Sequence, residues 1–136
     1  LPPLHDLVTI DLPLAAYIPT NYVPDMGLRL QLYRRLANLA AEAEIADMEG
    51  ELTDRFGPLP RAVENLLYQL RVKVLASQAG VEAVTSEEGQ VSIRLPGLGH
   101  DVRVSRMAIW MPRINGEINE TTWKQTLLDV LHRLGS

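Results

Sequence analysis

The stretch Ala41-Glu42-Ala43-Glu44-Ile45-Ala46-Asp47-Met48-Glu49-Gly50-Glu51-Leu52-Thr53-Asp54-Arg55-Phe56-Gly57 decides how the chain is read. Ile45, Met48, Leu52 and Phe56 recur at the three- and four-residue spacing of one helical face, which predicts a helix over about Ala41 to Phe56. Gly57 ends it, because glycine readily takes the positive φ that closes a helix C-terminus. Pro58-Leu59-Pro60 follows, and Pro60 suits the first turn of a further helix. Glu42, Glu44, Asp47, Glu49, Glu51 and Asp54 crowd the same segment, with no Lys or Arg among them. At about 100° per residue, Glu44, Asp47, Glu51 and Asp54 fall opposite the apolar stripe.

Upstream, Leu28, Leu32, Leu36 and Leu39 predict another helix, with Asp25 as its N-cap. Downstream, Val63, Leu66, Leu67, Leu70 and Val74 give a third helix its core face, and Gly80 stops it. Further out, the period shortens to two. Val8, Ile10 and Leu12 read as a half-buried strand, and so do Val91, Ile93 and Leu95. Glu88-Gly89 can turn the latter back on Val81–Thr85. Val102 and Val104 suggest another strand, and Asn115-Gly116 a hairpin turn. A last helix spans about Glu120 to Leu134, with Trp123, Leu127, Val130, Leu131 and Leu134 inward. The expectation is an α+β fold: three helices in the N-terminal half, packed with a small antiparallel sheet and a C-terminal helix. Residues 1–136 are read as one domain.

Composition narrows the function. With 46% hydrophobic residues in 136, the chain has the means to build a core. It has no cysteine, which excludes disulfides, zinc–thiolate sites and a cysteine nucleophile. No stretch approaches the roughly 20 apolar residues of a membrane span. Leu1-Pro2-Pro3-Leu4-His5-Asp6 resembles no signal peptide and lacks an initiator methionine, so a fragment of a larger cytoplasmic protein is expected. A formal charge of −4 argues against a duplex-DNA binder with a broad basic face. His5, His100 and His132 are scattered, and no metal site is expected. The sequence contains neither a phosphate-binding glycine loop nor a nucleophile elbow. An exposed acidic stripe offers no cleft for paired carboxylates, so this chain is not expected to be an enzyme.

Two readings of the acidic stripe stand side by side. It is either a solvated helix face or a docking surface for a basic partner. Like charges one turn apart cost a few tenths of a kcal/mol each, and Gly50 costs about 1 kcal/mol against alanine. A helix built for stability alone would avoid both. Arg29, Arg34 and Arg35, beside Tyr33, form the densest basic group and offer a nucleic-acid contact as an alternative. Such arginines also serve as ion-pair partners. Asp25 with Arg29 and Glu51 with Arg55 have the four-residue spacing for it.

Three blocks carry a family pattern. They are Ile18-Pro19-Thr20-Asn21-Tyr22-Val23-Pro24-Asp25; Arg29-Leu30 with Tyr33-Arg34-Arg35-Leu36; and Glu51-Leu52-Thr53-Asp54-Arg55-Phe56-Gly57-Pro58-Leu59-Pro60. In this order, over about residues 10 to 75, they resemble the C-terminal domain of bacterial transcription-repair coupling factors (Mfd; TRCF domain). The resemblance implies a parent that is an ATP-driven double-stranded DNA translocase. Such a parent removes stalled RNA polymerase and recruits UvrA for nucleotide excision repair. ATP and Mg would belong to its motor domains, with no cofactor in this domain. It further implies an autoinhibitory clamp that packs on the UvrB-like N-terminal module of the same chain and masks the UvrA-binding surface. Carried over by position, Glu51 and Asp54 are the implied contacts, joined on the outward stripe by Glu44 and Asp47. Asp25, Arg29, Arg55, Phe56 and Gly57 are expected to support the helix ends. Neither strong direct DNA binding nor membrane association is expected. A purely structural C-terminal cap is the remaining alternative.

Overall fold

The computed structural model describes residues 8–87, 90–96, 113–114, 117–118 and 120–135. Along the chain run β1 (Thr9–Asp11), α1 (Met26–Ala37), α2 (Glu42–Phe56), α3 (Arg61–Gln78), β2 (Ala83–Glu87), β3 (Gln90–Arg94), β4 (Arg113–Ile114), β5 (Glu117–Ile118) and α4 (Glu120–Leu134). This is the expected α+β order. The chain divides into two compact units, Leu14–Val74 and the remainder, with the division falling inside α3.

The Leu14–Val74 unit is helical. Asp25 caps α1, its Oδ1 accepting from the Gly27 amide at 3.1 Å. Leu32 and Leu36 are buried. The helix stops at Ala37, where the Asn38 amide closes on the carbonyls of Arg35 and Leu36. Leu39, expected on the helical stripe, therefore lies past its end and is only partly buried. α2 starts one residue after the non-helical Ala41, within a residue of the expected start. Ile45, Met48 and Leu52 are buried, and Phe56 packs half-buried against them. Gly57 sits at φ 94° and donates to the Thr53 carbonyl at 2.9 Å, a backbone that L side chains rarely adopt. From α3, Val63, Leu67 and Val74 complete this core, with Leu66 and Leu70 at its margin. Buried Asn65 donates to the Ala15 carbonyl at 3.0 Å, and the Tyr17 amide donates to the Ala62 carbonyl at 3.2 Å. These bonds pin the extended entry segment to the first turns of α3.

In the other unit, β1, β2 and β3 form one sheet in that order. The expectation of an antiparallel sheet is corrected here. β2 and β3 are antiparallel, with Val84 opposite Ile93, but β1 runs parallel to β2, with Thr9 opposite Ala83. The reason is connectivity. A two-residue link joins β2 to β3 as a hairpin, whereas three helices intervene between β1 and β2 and return the chain in the same direction. Val8 and Leu12 are buried while Thr9 and Asp11 are exposed, which is the alternation expected of β1. α3 ends at Gln78, and Gly80, the predicted stop, follows with φ 73°. The Gly80 amide closes on Ser77 and the Val81 amide on Ala76, the paired bonds of a glycine-terminated helix. β3 ends at Arg94, one residue short of the expected Leu95. On α4, Trp123, Leu127, Val130 and Leu131 are buried as expected. Leu134 is instead 37% exposed, because it occupies the terminal helical position, where the stripe runs out of core. β4 and β5 are antiparallel, with Arg113 opposite Ile118. Glu88-Gly89, Val102, Val104 and Asn115-Gly116 themselves lie outside the described residues.

Gly50 lies in the middle of α2, exposed, with nothing within 4 Å of where a Cβ would stand. Gly50→Ala is expected to stabilise the chain by about 0.5–1 kcal/mol. Urea denaturation checks this; a lower midpoint for the variant would contradict it.

Candidate docking face

The rotation of α2 about its axis is set by Ile45, Met48 and Leu52, all at most 3% exposed. That rotation gives five of the six acids of the helix different surroundings. Glu44, Asp47 and Asp54 are exposed; Asp47 and Asp54 lie opposite the buried stripe, while Glu44, two turns before Glu51, shares its side of the helix. Glu49 lies on one flank, its Oε2 3.6 Å from Nη2 of Arg71 on α3. Glu51 lies on the other flank, toward α1, and is only partly exposed.

Glu51 is therefore not a free member of the stripe. Arg35 grips it as a fork: Nη1 donates to Oε2, and Nη2 donates to Oε1 at 2.8 Å. Arg55, one turn on, donates from Nη1 to Oε2 at 3.1 Å, the pair anticipated from spacing. The Arg35 hydrogen bonds, opposed by desolvation and then helped by Arg55, push the Glu51 carboxyl down to about 2.

The end of α2 is clasped from the same side. The Arg55 guanidinium stands 5.1 Å from the Phe56 ring centre, within cation–π range. Phe56 in turn meets Tyr22, with ring centres 5.7 Å apart and planes tilted by 56°. The Tyr22 hydroxyl donates toward the Gly57 carbonyl at 2.8 Å and lies 3.1 Å from that of Leu52. Burial pushes this hydroxyl's pKa up. Arg55, Phe56 and Gly57 thus meet at the end of α2.

The basic cluster is dispersed by its own bonds. The expected Asp25–Arg29 ion pair does not form: Arg29 Nη1 donates to the carbonyls of Val23 at 2.8 Å and Pro24 at 3.0 Å, while Asp25 caps α1. Main-chain oxygens just before the helix lie within the arginine's reach and take it first. Arg35 is committed to Glu51, and the Tyr33 hydroxyl accepts from the Ile18 amide at 2.7 Å. Sequence reasoning missed Arg35–Glu51, Arg71–Glu49 and the Tyr22 clasp. A signal for the first two exists: Glu51 and Glu49 border the apolar stripe, and border positions face the neighbouring helices.

Among the described residues no group of three His, Asp or Glu is placed to hold a metal ion, and no helix is long and apolar enough to cross a membrane. The model of the TRCF domain matches residues 12–101, well beyond the reach of the three sequence blocks. The chain belongs to the TRCF domain family. It is 41% identical over 86 residues to the transcription-repair-coupling factor of Rickettsia conorii, covering 63% of this chain and 8% of that protein. It is 38% identical over 104 residues to that of Mycobacterium bovis, covering 74% of this chain and 8% of that protein. The chain thus spans about 8% of the length of these curated relatives. The fold is similar to a crystal structure of the C-terminal domain of transcription-repair coupling factor. That match has a TM-score of 0.72 at 17% identity, covering 94% of this chain and 93% of the other. The blocks that carry the TRCF pattern meet in space here: Tyr22 and Ile18 from the first, Tyr33 and Arg35 from the second, Glu51 to Gly57 from the third.

Two measurements probe this site. Tyr22→Phe removes the hydroxyl that satisfies the end of α2, and is expected to cost about 0.5–1.5 kcal/mol in urea denaturation. The Glu51 carboxyl is lowered on folding, so its pairing contributes fully above the ordinary carboxylate pKa and is lost as pH falls through about 2. The groups are half-exposed, so the contribution is small. Glu51→Gln is expected to unfold at lower urea than the unaltered chain at pH 7. The gap should close as the pH falls from about 4.3 toward about 2. A gap that persists at the acid end contradicts the pairing.

Proposed function

We propose that this domain is the regulatory docking module of a transcription-repair coupling factor. The parent is an ATP-dependent DNA translocase of transcription-coupled nucleotide excision repair, acting in the cytoplasm. The domain docks on the UvrB-like module of its own chain, masks the UvrA-binding surface there and restrains the motor. RNA polymerase acts on it indirectly, through the parent, when engagement remodels the protein. The observation that carries the reading is the outward face of α2. Glu44, Asp47 and Asp54 stand exposed on a helix whose opposite side is locked into the core. An acidic surface held at a defined rotation is what reversible recognition of a basic surface needs.

The strength required is modest. An exposed ion pair is worth about 0–1 kcal/mol, so a latch needs several of them or partial desolvation. A preference of a few kcal/mol for the closed state keeps the parent mostly closed, and a partner opens it by favouring the open form by as much. The nucleic-acid reading loses support from the geometry, because Arg29 and Arg35 are turned to bonds within the domain.

The test is charge reversal in the full-length parent. Asp47→Lys with Asp54→Lys is expected to raise both UvrA capture and basal ATPase activity. Among the described residues the side chains of Asp47 and Asp54 make no hydrogen bond or ion pair, so the circular dichroism spectrum and unfolding midpoint should stay put. Unchanged capture and ATPase with the fold intact would leave only a structural cap. In a salt titration against duplex DNA, the isolated chain is expected to show no appreciable affinity.

A further inference from the structure

The docking face contains an internal competitor. Arg35 and Arg55 together place two positive charges on the single negative charge of Glu51. Three of the carboxylate's roughly four lone-pair sites are thereby occupied. An approaching cation meets acids at Glu44, Asp47 and Asp54 but guanidinium at the Glu51 flank. Arg55 approaches Glu51 with one nitrogen only and also lies over Phe56, so it can keep its place if the carboxylate turns outward. Arg35 cannot, since both of its terminal nitrogens are spent on Glu51. The Arg35 side chain is 48% exposed and that of Glu51 is 35% exposed, so water is at hand to solvate each group as the fork opens.

Resting on the docking reading above, we propose that Arg35 regulates the face by occupying Glu51 in the undocked domain. Docking then exchanges Arg35 for a cationic side chain of the partner surface. The partner is of one chemical class, a protein surface bearing arginine or lysine. Arg35 is a positioning residue: it decides how much of the Glu51 charge the partner can use. Losing a merely structural brace would loosen docking, whereas losing a competitor tightens it. The sign of the effect separates the two roles.

The experiment uses the full-length parent, with UvrA as the probe of the undocked state. Arg35→Gln keeps the stem and removes the charge. It is expected to lower UvrA capture about 2- to 5-fold, the scale of one exposed ion pair. Arg35→Lys, which retains charge but not the fork, should fall between the two. Arg34→Gln removes the same charge from the adjacent exposed position and should leave capture unchanged. In a Glu51→Gln background, Arg35→Gln should have no further effect, because the contested carboxylate is gone. Unchanged or increased capture with Arg35→Gln overturns the exchange, and so does a decrease that survives in the Glu51→Gln background. The Asp47→Lys, Asp54→Lys parent keeps the two ideas apart. If it captures more UvrA while Arg35→Gln changes nothing, the docking face stands and only the exchange falls. If it captures no more, both fall.

Discussion

Leu52 is where the constraints on the helical unit converge. Its side chain is buried in the core, and its carbonyl lies within reach of the Tyr22 hydroxyl. Its neighbour Glu51 is held by α1, and Gly57 closes the helix one turn later. Rotating α2 by one residue would bury a carboxylate and expose leucine, at a cost of several kcal/mol for the unpaired charge alone. Apolar burial selects the rotation of the helix; the polar bonds at its flanks then sharpen a choice already made. Every acidic side chain of α2 inherits its role from that choice.

The three sequence blocks can be understood in the same terms. They lie far apart in the chain, yet each supplies one part of a single clasp: an aromatic hydroxyl, a guanidinium fork and a glycine-ended helix. Much of the TRCF pattern is thus a folding device. The acids that project from it, Asp47 and Asp54, contribute nothing visible to that device. Bonded and unbonded acidic residues alternate along a few turns of one helix, and a motif read as letters does not separate them.

What sequence reasoning reached and what escaped it follow from the range of the interactions. The ends of α2, its apolar stripe, Gly57, Gly80 and the span of α4 rest on local periodicity and on glycine's backbone freedom, and these are written in adjacent residues. The Arg55–Glu51 pair was reached for the same reason, being one helical turn apart. Arg35–Glu51 spans 16 positions, and Tyr22–Gly57 spans 35. Such contacts depend on how helices lie against one another, which spacing rules do not contain. Arg29 shows the converse: its four-residue relation to Asp25 was genuine, but the Val23 and Pro24 carbonyls hold its guanidinium instead. The parallel pairing of β1 likewise lies beyond any pattern within β1 itself.

Asn65 bears on a different matter, the route by which the chain closes on itself. Thr9 pairs with Ala83 across most of the helical unit, and joining distant positions costs loop entropy that grows with the logarithm of their separation. The bond from Asn65 to the Ala15 carbonyl divides that long loop. Once it forms, β1 is tied through only a few residues to Ala15, and β2 follows from Asn65 along the remainder of α3. Asn65 and Ala15 are themselves 50 positions apart, so the remote encounter is moved to that bond rather than removed. With that bond in place, pairing Thr9 with Ala83 closes a loop of about 24 residues, 6 before Ala15 and 18 after Asn65, in place of one of 74.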